Sequence, residues 1–587
     1  MNSINDTDTN KALQRAEELY EQRKQIMKLS PEQALEKILE YKHPDALVHS
    51  FVEQDFYFLI HEIGPEDCAP LLAMASHGQW EYILDMEIWD QDRIATKNMT
   101  KWLYLLFNAD PKRLIQWFLS EKTEIIEFYL HKFLNIIIRI HDQDPSEFGD
   151  NFFTLDDTFY IRIVDSDEES APDPITEELK HLLLNRFLEK LAGYDFIQYQ
   201  KVLLETIHVL PAETEEEAYR LRTVRLAEKG FLPFSEAVGI YKPMTPDEIE
   251  KKLIQLSRGI KGPEDSILYR IRSPISPSEL ANNQENLFSR SLKSNSINDI
   301  LPLVQSEFAA LCNQLISADR KPVQNRDQLK EVVKKACGYL SIGMEHLSGF
   351  RQKMSSDQIA AVIERYPLKW IFRAGYGRVL MLKWRAQKWQ RNSWYHSKEL
   401  SLTFWDEFRM GVLGGLMIKK PLFFDNYETG VLYREFESSA DIEKTADALE
   451  KIMEMDRLLS LMKIKSFSLT HQRLLTYKNM LLTLWARNFL GLPETLTPIS
   501  IEKFGPFYGN LFDREPVHQS DTCPKIPSEM KLAFINWLLQ KTGLPRHEIS
   551  RDLGQIFEEL FSEIENEYAM VAQKDLDPRF VNLFLME

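Results

Sequence analysis

Proline-led helix starts recur along the N-terminal part of this chain and constrain its fold more than any other feature. Ser30-Pro31-Glu32-Gln33 combines a capping residue, a proline at the first helical position and the glutamine of a capping box. Comparable starts occur at Pro44, Pro65 and Pro111, separated by 21 and 46 residues. A step of roughly 20 residues with two short helices predicts stacked helical hairpins, and an irregular helical bundle is the alternative.

The remaining sequence is also predicted to be helical, which makes the fold class all-α. Apolar residues recur at helical spacing from Leu182 to Leu191 and from Ile249 to Leu256. Residues 151–164 differ, because two β-rich runs flank Asp156-Asp157 and predict one short β-hairpin. The predicted architecture is an armadillo-like helical-hairpin superhelix in the N-terminal part, with helical bundles after it.

The length of the chain predicts several domains, since 587 residues exceed what a single hydrophobic core normally holds. Pro263, Pro274 and Pro277 stand among many Ser and Asn residues, which is typical of a linker or mobile loop. The predicted divisions are a repeat domain at 1–149, a β-hairpin with helices at 150–260, the linker at 261–298, a helical domain at 299–465 and a C-terminal helical domain at 466–587.

The formal charge of −18 restricts the partners that the surface can attract. An acidic surface repels nucleic acid and anionic lipid, so a polyanion would need a local basic region. Four scattered cysteines without a CxxC pair fit a reducing compartment. The N-terminus lacks a signal-peptide pattern, and the longest apolar run, Met410 to Ile418, falls far short of the ~20 residues that span a bilayer. We therefore expect a cytoplasmic protein without membrane insertion.

Motifs that would indicate an enzyme or a metal site are incomplete. Gly375-Tyr-Gly377 begins like a dinucleotide-binding loop but lacks the third glycine, and His547-Glu548 lacks the second histidine of a zinc-binding pair. No G-x-S-x-G nucleophile motif occurs. The sequence thus predicts no catalytic, metal-binding or cofactor-binding residues and no cofactor. It favours a non-enzymatic role and leaves an enzyme of unfamiliar type as an alternative.

One segment, from Arg365 to Trp394, carries a charge opposite to that of the whole chain. It contains no acidic residue, and a helical projection places Ile371, Val379 and Leu382 on an apolar side. On the other sides, cations beside flat aromatic rings can hold phosphates and stack bases. The alternative is a basic helix packed against acidic neighbours. The candidate polyanion-binding residues are Lys369, Trp370, Arg373, Arg378, Lys383, Trp384, Arg385 and Lys388.

The N-terminal helix starts resemble those of the superhelical N-terminal domain of MgtE-type magnesium transporters. The resemblance covers the first 140 residues or so. The transporter's membrane and sensor domains have no counterpart here, so the resemblance implies a helical superhelix and does not imply transport. The matching stretches are Pro31-Glu32-Gln33-Ala34, Pro44-Asp45-Ala46 and Pro65-Glu66-Asp67-Cys68.

The whole chain resembles a bacterial family of all-helical cytosolic proteins of unknown function. This resemblance implies one helical architecture and supplies no known catalytic residues. It is carried by Phe153-Thr-Leu-Asp-Asp-Thr-Phe-Tyr160, the stretch from Glu217-Ala-Tyr-Arg-Leu-Arg222 to Gly230-Phe231, Gly338-Tyr-Leu-Ser-Ile-Gly343 and Lys420-Pro-Leu-Phe-Phe424.

Two functional hypotheses follow from the sequence. The first is a non-enzymatic scaffold or adaptor that binds another protein along a concave repeat surface. The alternative is a regulator that binds a polyanion such as nucleic acid through the basic helix at 365–394.

Overall fold

Helices form most of the regular structure in the computed structural model, which describes residues 3–141, 143–164, 174–256, 277–282, 285–293, 297–349, 356–464, 475–512 and 524–587. Three of the four predicted helix starts lie where the sequence places them: Ser30 caps a helix that begins at Pro31, and further helices begin at Pro44 and Pro111. The fourth, Pro65, begins only a three-residue 3-10 helix, and the next α-helix begins at Ala69. The all-α fold class is confirmed.

The helices are numbered in chain order. Up to residue 256 they are α1 Ser3–Ile26, α2 Pro31–Leu39, α3 Pro44–Ser50, α4 Glu53–Ile63, α5 Ala69–Met74, α6 His77–Glu87, α7 Thr96–Ala109, α8 Pro111–Glu121, α9 Thr123–Phe133, α10 Pro174–Tyr194, α11 Phe196–Ile207, α12 Pro211–Glu228, α13 Phe234–Ala237 and α14 Pro246–Leu256. From residue 277 onwards they are α15 Pro277–Asn282, α16 Leu287–Leu292, α17 Leu301–Asp319, α18 Arg326–Ser348, α19 Ser356–Arg365, α20 Leu368–Asn392, α21 Trp394–Ser397, α22 Glu407–Met417, α23 Ser439–Leu461, α24 Tyr477–Phe489, α25 Ile501–Leu511, α26 Ser528–Thr542 and α27 Arg546–Tyr568. Short 3-10 helices occupy Pro65–Asp67, Pro145–Phe148, Val238–Tyr241, Leu402–Phe404, Gln573–Asp575 and Pro578–Phe580.

The chain folds into two compact units. The first comprises residues 1–242, 247–337 and 354–370, and the second comprises 243–246, 338–353 and 371–587. The five-part division drawn from the sequence stays a prediction. Of the predicted linker at 261–298, residues 261–276, 283–284 and 294–296 lie outside the described residues, and the described remainder includes the short helices α15 and α16.

In the first unit, many helices pack on the helix two places further along the chain. Thus α2 packs on α4, α4 on α6, α3 on α5 and α5 on α7. Trp80, Trp102 and Trp117 are almost completely buried among them. Further along, α11 packs on both α9 and α10, and α12 also packs on α9. These contacts fix the positions of α11 and α12, the helices that carry a candidate binding surface.

In the described residues, the strands form three small antiparallel sheets. They pair β1 Trp89–Asp90 with β2 Arg93–Ile94, β3 Leu134–Ile138 with β4 Phe159–Ile163, and β5 Phe423–Phe424 with β6 Tyr433–Arg434.

The predicted hairpin at 151–164 is present as a single antiparallel bridge between Phe153 and Ile161. The longer partner of β4 is β3, with Ile136 opposite Ile161, and the sequence analysis did not identify β3. A run of three isoleucines ends β3, and β-branched residues pack well on a pleated surface. The sheet therefore joins the segments on either side of the loop at 139–158.

Close backbone contacts organise part of the second unit. Gly375 of α20 lies against the carbonyl group of Tyr339 on α18, and Gly343 of α18 lies against that of Ile371. Side chains at these glycines would collide with backbone atoms, so the small size of the glycines permits α18 and α20 to cross closely.

Within the described part of the chain, no helix has the length and apolar character needed to span a membrane.

Candidate interaction surfaces

Helix α20 carries the predicted basic site and is bounded by two local signals. It begins at Leu368, just after Pro367, because a proline disfavours helical backbone in the residue before it. Arg365 therefore belongs to the end of α19, where it pairs with Glu250 at 2.7 Å. Ser393 caps the next short helix and ends α20 at Asn392. The predicted segment at 365–394 is thus three helical pieces.

Three of the predicted site residues have side chains that are buried or already bound to other groups of the protein. Trp370 is only 6% exposed and belongs to the core. Lys383 donates hydrogen bonds to the carbonyl groups of Ile418 and Lys419, at 2.6 and 3.0 Å, and so satisfies the end of α22. Burial lowers the pKa of Lys383 from its ordinary value. Arg385 forms an ion pair with an acidic neighbour, Glu450.

The other predicted residues differ in how far they reach solvent. Arg373 and Arg378 are half-buried. Burial, reinforced by the charge of Arg378, lowers the pKa of His346. Lys369 and Lys388 are exposed, and neither forms an ion pair with a described residue. The structure therefore does not gather the eight residues into one site.

A smaller stripe remains on the outer side of α20. It consists of Trp384, Lys388 and Arg391, which lie on successive turns, and we call it the cationic stripe. Trp384 is 50% exposed, and together with Gln387 and Asn392 these residues line a shallow depression. In the described part of the chain, neither Lys388 nor Arg391 has an anionic partner. The candidate set from the sequence lacked Arg391, although its spacing of seven residues from Trp384 placed it on this face.

A second group of exposed side chains, which the sequence analysis did not identify, is apolar and lies on and beside α11 and α12. Ile197 is 77% exposed, and Leu204 lies two turns further along the same side of α11. Leu221 and Val224 are exposed one turn apart on α12. We call this set the α11–α12 surface; its members are Tyr194, Phe196, Ile197, Leu204, Leu210, Leu221 and Val224.

Polar contacts on the inner side of α12 hold the helix in this orientation. Arg225 binds both carboxylate oxygens of Asp85, at 2.6 and 2.8 Å. Arg222 donates to the backbone carbonyl of Asp85 at 2.6 Å, and Glu215 accepts from the backbone amide of Ile94 at 2.6 Å. Since Arg222, Arg225 and Glu215 point inward, the outward positions of α12 are left to apolar and acidic side chains and to Arg220.

Exposed carboxylates accompany the apolar side chains of α12. Glu213, Glu216 and Glu228 are exposed, while Glu217 pairs with Arg220 on the same helix. Along α12 the exposed carboxylates therefore lie on either side of the exposed apolar residues, with Glu213 and Glu216 before Leu221 and Val224 and with Glu228 after them.

A buried polar cluster in the first unit is centred on Glu87. Its carboxylate accepts from Tyr57, from Trp102 at 3.1 Å and from Gln324 at 3.0 Å, and His61 Nε2 lies 3.2 Å away. Burial alone would raise the pKa of Glu87, but hydrogen bonds from His61, Tyr57 and Gln324 outweigh it and hold the pKa at about 2. A carboxylate with so low a pKa is a weak base, and its hydrogen bonds join α6 to α4, to α7 and to the segment before α18.

In the described residues, no three His, Cys, Asp or Glu side chains converge in a way that would hold a metal ion.

The comparisons with known proteins place the chain without assigning an activity. No curated protein and no solved structure gives a significant match. One family model, described as a family of unknown function (DUF6178), matches residues 10–587. Since the match covers nearly the whole sequence, this chain belongs to the DUF6178 family.

Proposed function

We propose that this protein is a helical scaffold that binds another protein through the α11–α12 surface. The observation that carries the proposal is the exposure of seven large apolar side chains between residues 194 and 224, with Ile197 77% exposed. Single exposed apolar residues are common, but groups of them mark protein interaction sites.

The charges on α12 suggest what kind of partner fits. The exposed carboxylates of Glu213, Glu216 and Glu228 would oppose Lys or Arg side chains at the rim of an interface. The proposed partner therefore presents apolar residues flanked by basic ones. Because exposed charges are screened by salt, association with it would slow as ionic strength rises.

Site-specific photo-crosslinking tests the proposal in the cells that naturally make the chain. A photoreactive phenylalanine analogue at Ile197 should yield one discrete protein adduct, whereas the same analogue at the exposed Lys190 on α10 should not. Leu204→Asp, on the same side of α11, should abolish the adduct because it places a charge in the apolar contact.

The identity and persistence of the adduct decide the outcome. An adduct with a protein that carries the predicted apolar and basic segment supports the proposal. Equal labelling at Ile197 and Lys190, or an adduct that survives Leu204→Asp, would contradict it. An adduct between two copies of the chain would replace the scaffold proposal with self-association.

A second candidate function is polyanion binding by the cationic stripe. It is favoured by one observation: Trp384 is half exposed beside Lys388 and Arg391, whose charges have no described anionic partner. An exposed ring next to two cations offers stacking for one base and contacts for two phosphates. With net charge −18 on the chain, such binding would be weak and local.

Titration with a fluorescent single-stranded oligonucleotide at low and moderate salt tests this candidate. Binding should weaken about 25-fold per tenfold rise in salt if two phosphates are contacted, from a slope of roughly 0.7 per phosphate. Lys388→Glu with Arg391→Glu should abolish it. Lys444→Glu, at another exposed position of the second unit, should have little effect. If Lys444→Glu lost binding, or if Lys388→Glu with Arg391→Glu kept it, the result would argue against the stripe as the binding site.

The packing of the N-terminal helices supports a further part of the proposal, a helical-hairpin repeat. In the first unit α2 packs on α4, α3 on α5, α4 on α6 and α5 on α7, which is the arrangement that successive helical hairpins would produce in a repeat. It agrees with the resemblance of the N-terminal helices to the superhelical domain of MgtE-type transporters. We also keep a cytoplasmic location and a bacterial origin as parts of this proposal.

A further inference from the structure

Helix α11 is held on α9 by a contact that includes an unusual carboxyl group. Glu127 of α9 is only 8% exposed, and its Oε1 atom has no hydrogen-bond partner in the described residues. A buried carboxylate without compensating donors is costly, since burial disfavours the charged form. Glu127 therefore needs a neighbour that favours its neutral form.

That neighbour is a second carboxyl group, on α11. His131, one turn along α9 from Glu127, contacts the carbonyl oxygen of Thr206, and this contact between the packed helices places the adjacent Glu205 beside Glu127. Two carboxyl groups can share a hydrogen bond only if one of them keeps its proton. Burial and then Glu205 raise the pKa of Glu127 to about 8, with Glu124 adding to the effect and Lys201 opposing it. The proton in this pair is therefore released as the pH rises through about 8.

Most charged groups on the other elements packed against α9 are engaged elsewhere, and the exceptions, Lys112 on α8 and Glu213, Glu216 and Glu228 on α12, are exposed to solvent. These elements are α8, α12 and β3, and β3 contains no charged residue. The engaged groups are Arg113 with the Ala73 carbonyl, Glu121 with Trp117, Arg222 and Arg225 with Asp85, Glu215 with the Ile94 amide, and Glu217 with Arg220.

A second contact one turn along α9 does not depend on that proton. His131 Nδ1 lies 2.9 Å from the carbonyl oxygen of Thr206, the residue after Glu205. On the other side of Glu205, Lys201 Nζ lies 3.7 Å from its carboxylate and provides an alternative partner on α11 itself. Glu205 thus lies between a partner on α9 and one on its own helix.

We propose that the Glu127–Glu205 pair is a proton-operated latch that sets how firmly α11 is held on α9. At lower pH the shared proton joins the two helices. When the proton leaves to solvent, the two carboxylates repel and Glu205 turns to Lys201, so α11 loosens. Ile197 and Leu204 are carried by α11, so the latch would regulate the α11–α12 surface. This consequence rests on the proposed docking function, whereas the latch itself does not.

Hydrogen exchange of the full-length protein tests the latch without any partner. Amide exchange rates for residues 196–207 are measured at pH 6 and pH 9 and divided by the intrinsic rates at each pH. Protection should fall about tenfold or more, since one pKa unit corresponds to a factor of ten. Protection of α7, which does not belong to the latch, should not change.

Three variants separate the latch from ordinary pH effects. Glu127→Gln keeps the shape and donates a hydrogen bond to Glu205 at every pH, so protection of α11 should no longer depend on pH. Glu205→Gln, at a more exposed position, should do the same. Glu189→Gln, an exposed carboxylate on α10, should retain the wild-type fall in protection.

Two results would overturn the proposal. One is equal pH dependence of α11 protection in wild type, Glu127→Gln and Glu205→Gln. The other is loss of protection across α7 and α11 together, which would indicate general unfolding. Failure of the docking test would leave the exchange result unaffected, and failure of the latch would leave docking intact.

Discussion

At the scale of single residues, the small side chain of Gly375 decides how closely α18 and α20 approach. We predict that Gly375→Ala lowers the free energy of unfolding by about 2 kcal/mol, because a methyl group there would overlap the backbone of Tyr339. Urea denaturation measures the change. Gly554→Ala in α27 is the matched control: apart from the neighbouring backbone of α27 itself, no described atom lies within 4 Å of its added methyl group, so it should stabilise by up to ~1 kcal/mol. Equal effects of the two substitutions would refute this explanation.

Glu127 gives a residue-scale prediction about pH and stability. Its pKa is about 8 in the folded protein, against 4.5 for an ordinary glutamate, so between these values the folded state binds more protons than the unfolded state. Stability from this group is therefore complete below pH 4.5 and is lost as pH rises through 8. The melting temperature of Glu127→Gln should fall less than that of wild type between pH 6 and pH 9. Parallel melting curves for the two proteins would refute the assignment.

Residue patterns show what could be read from the sequence. The cap at Ser30 and the apolar side of α20, with Ile371, Val379 and Leu382 buried, were predictable because they depend on near neighbours in the chain. The burial of Trp370 was not predictable, since it depends on which other elements cover that part of α20.

At the scale of elements, long-range partners decide most of what sequence reasoning missed. Strand β3 pairs with β4 across a loop of 20 residues, and Glu127 meets Glu205 from a different helix. Lys383 carries a basic group as predicted, but the carbonyl groups at the end of α22 occupy it. Of the eight candidate residues, only Trp384 and Lys388 lie on the cationic stripe, because partners distant in sequence occupy or bury most of the others.

The β5–β6 hairpin illustrates how one element depends on a single side chain. Arg434 donates to Asp425 at 2.7 Å and to both carboxylate oxygens of Asp441, at 2.8 and 2.9 Å. Both aspartates are buried, so removing the arginine leaves two buried charges without their cation. The tip that this clamp supports carries Tyr427, which is 63% exposed.

We predict that Arg434→Met makes the hairpin tip accessible to proteolysis. Chymotrypsin should cleave after Tyr427 at least about tenfold faster than in wild type, because breaking a buried ion pair costs roughly 3–5 kcal/mol. Lys444→Met removes an exposed ion pair with Glu428 and should leave the cleavage rate nearly unchanged. Unchanged cleavage in Arg434→Met would show that the clamp does not restrain the tip.

At the scale of the whole molecule, the α11–α12 surface should govern association at high concentration. We predict that Ile197→Asn with Leu204→Asn reduces the light scattering of concentrated solutions, since apolar side chains in water promote attraction between molecules. Met570→Asn is the control, because Met570 is 81% exposed but lies far along the chain from this group. Equal scattering by all three proteins would contradict a special role for the surface.

The exposed side chains of α11 and α12 also bear on how much of this protein a cell should make. Molecules without a partner leave Ile197 in water, where chaperones and proteases that recognise apolar segments can act on them. Synthesis of the chain would then have to match that of whatever covers the surface. In that case the supply of the partner, more than the rate of synthesis, would set how much of this protein accumulates.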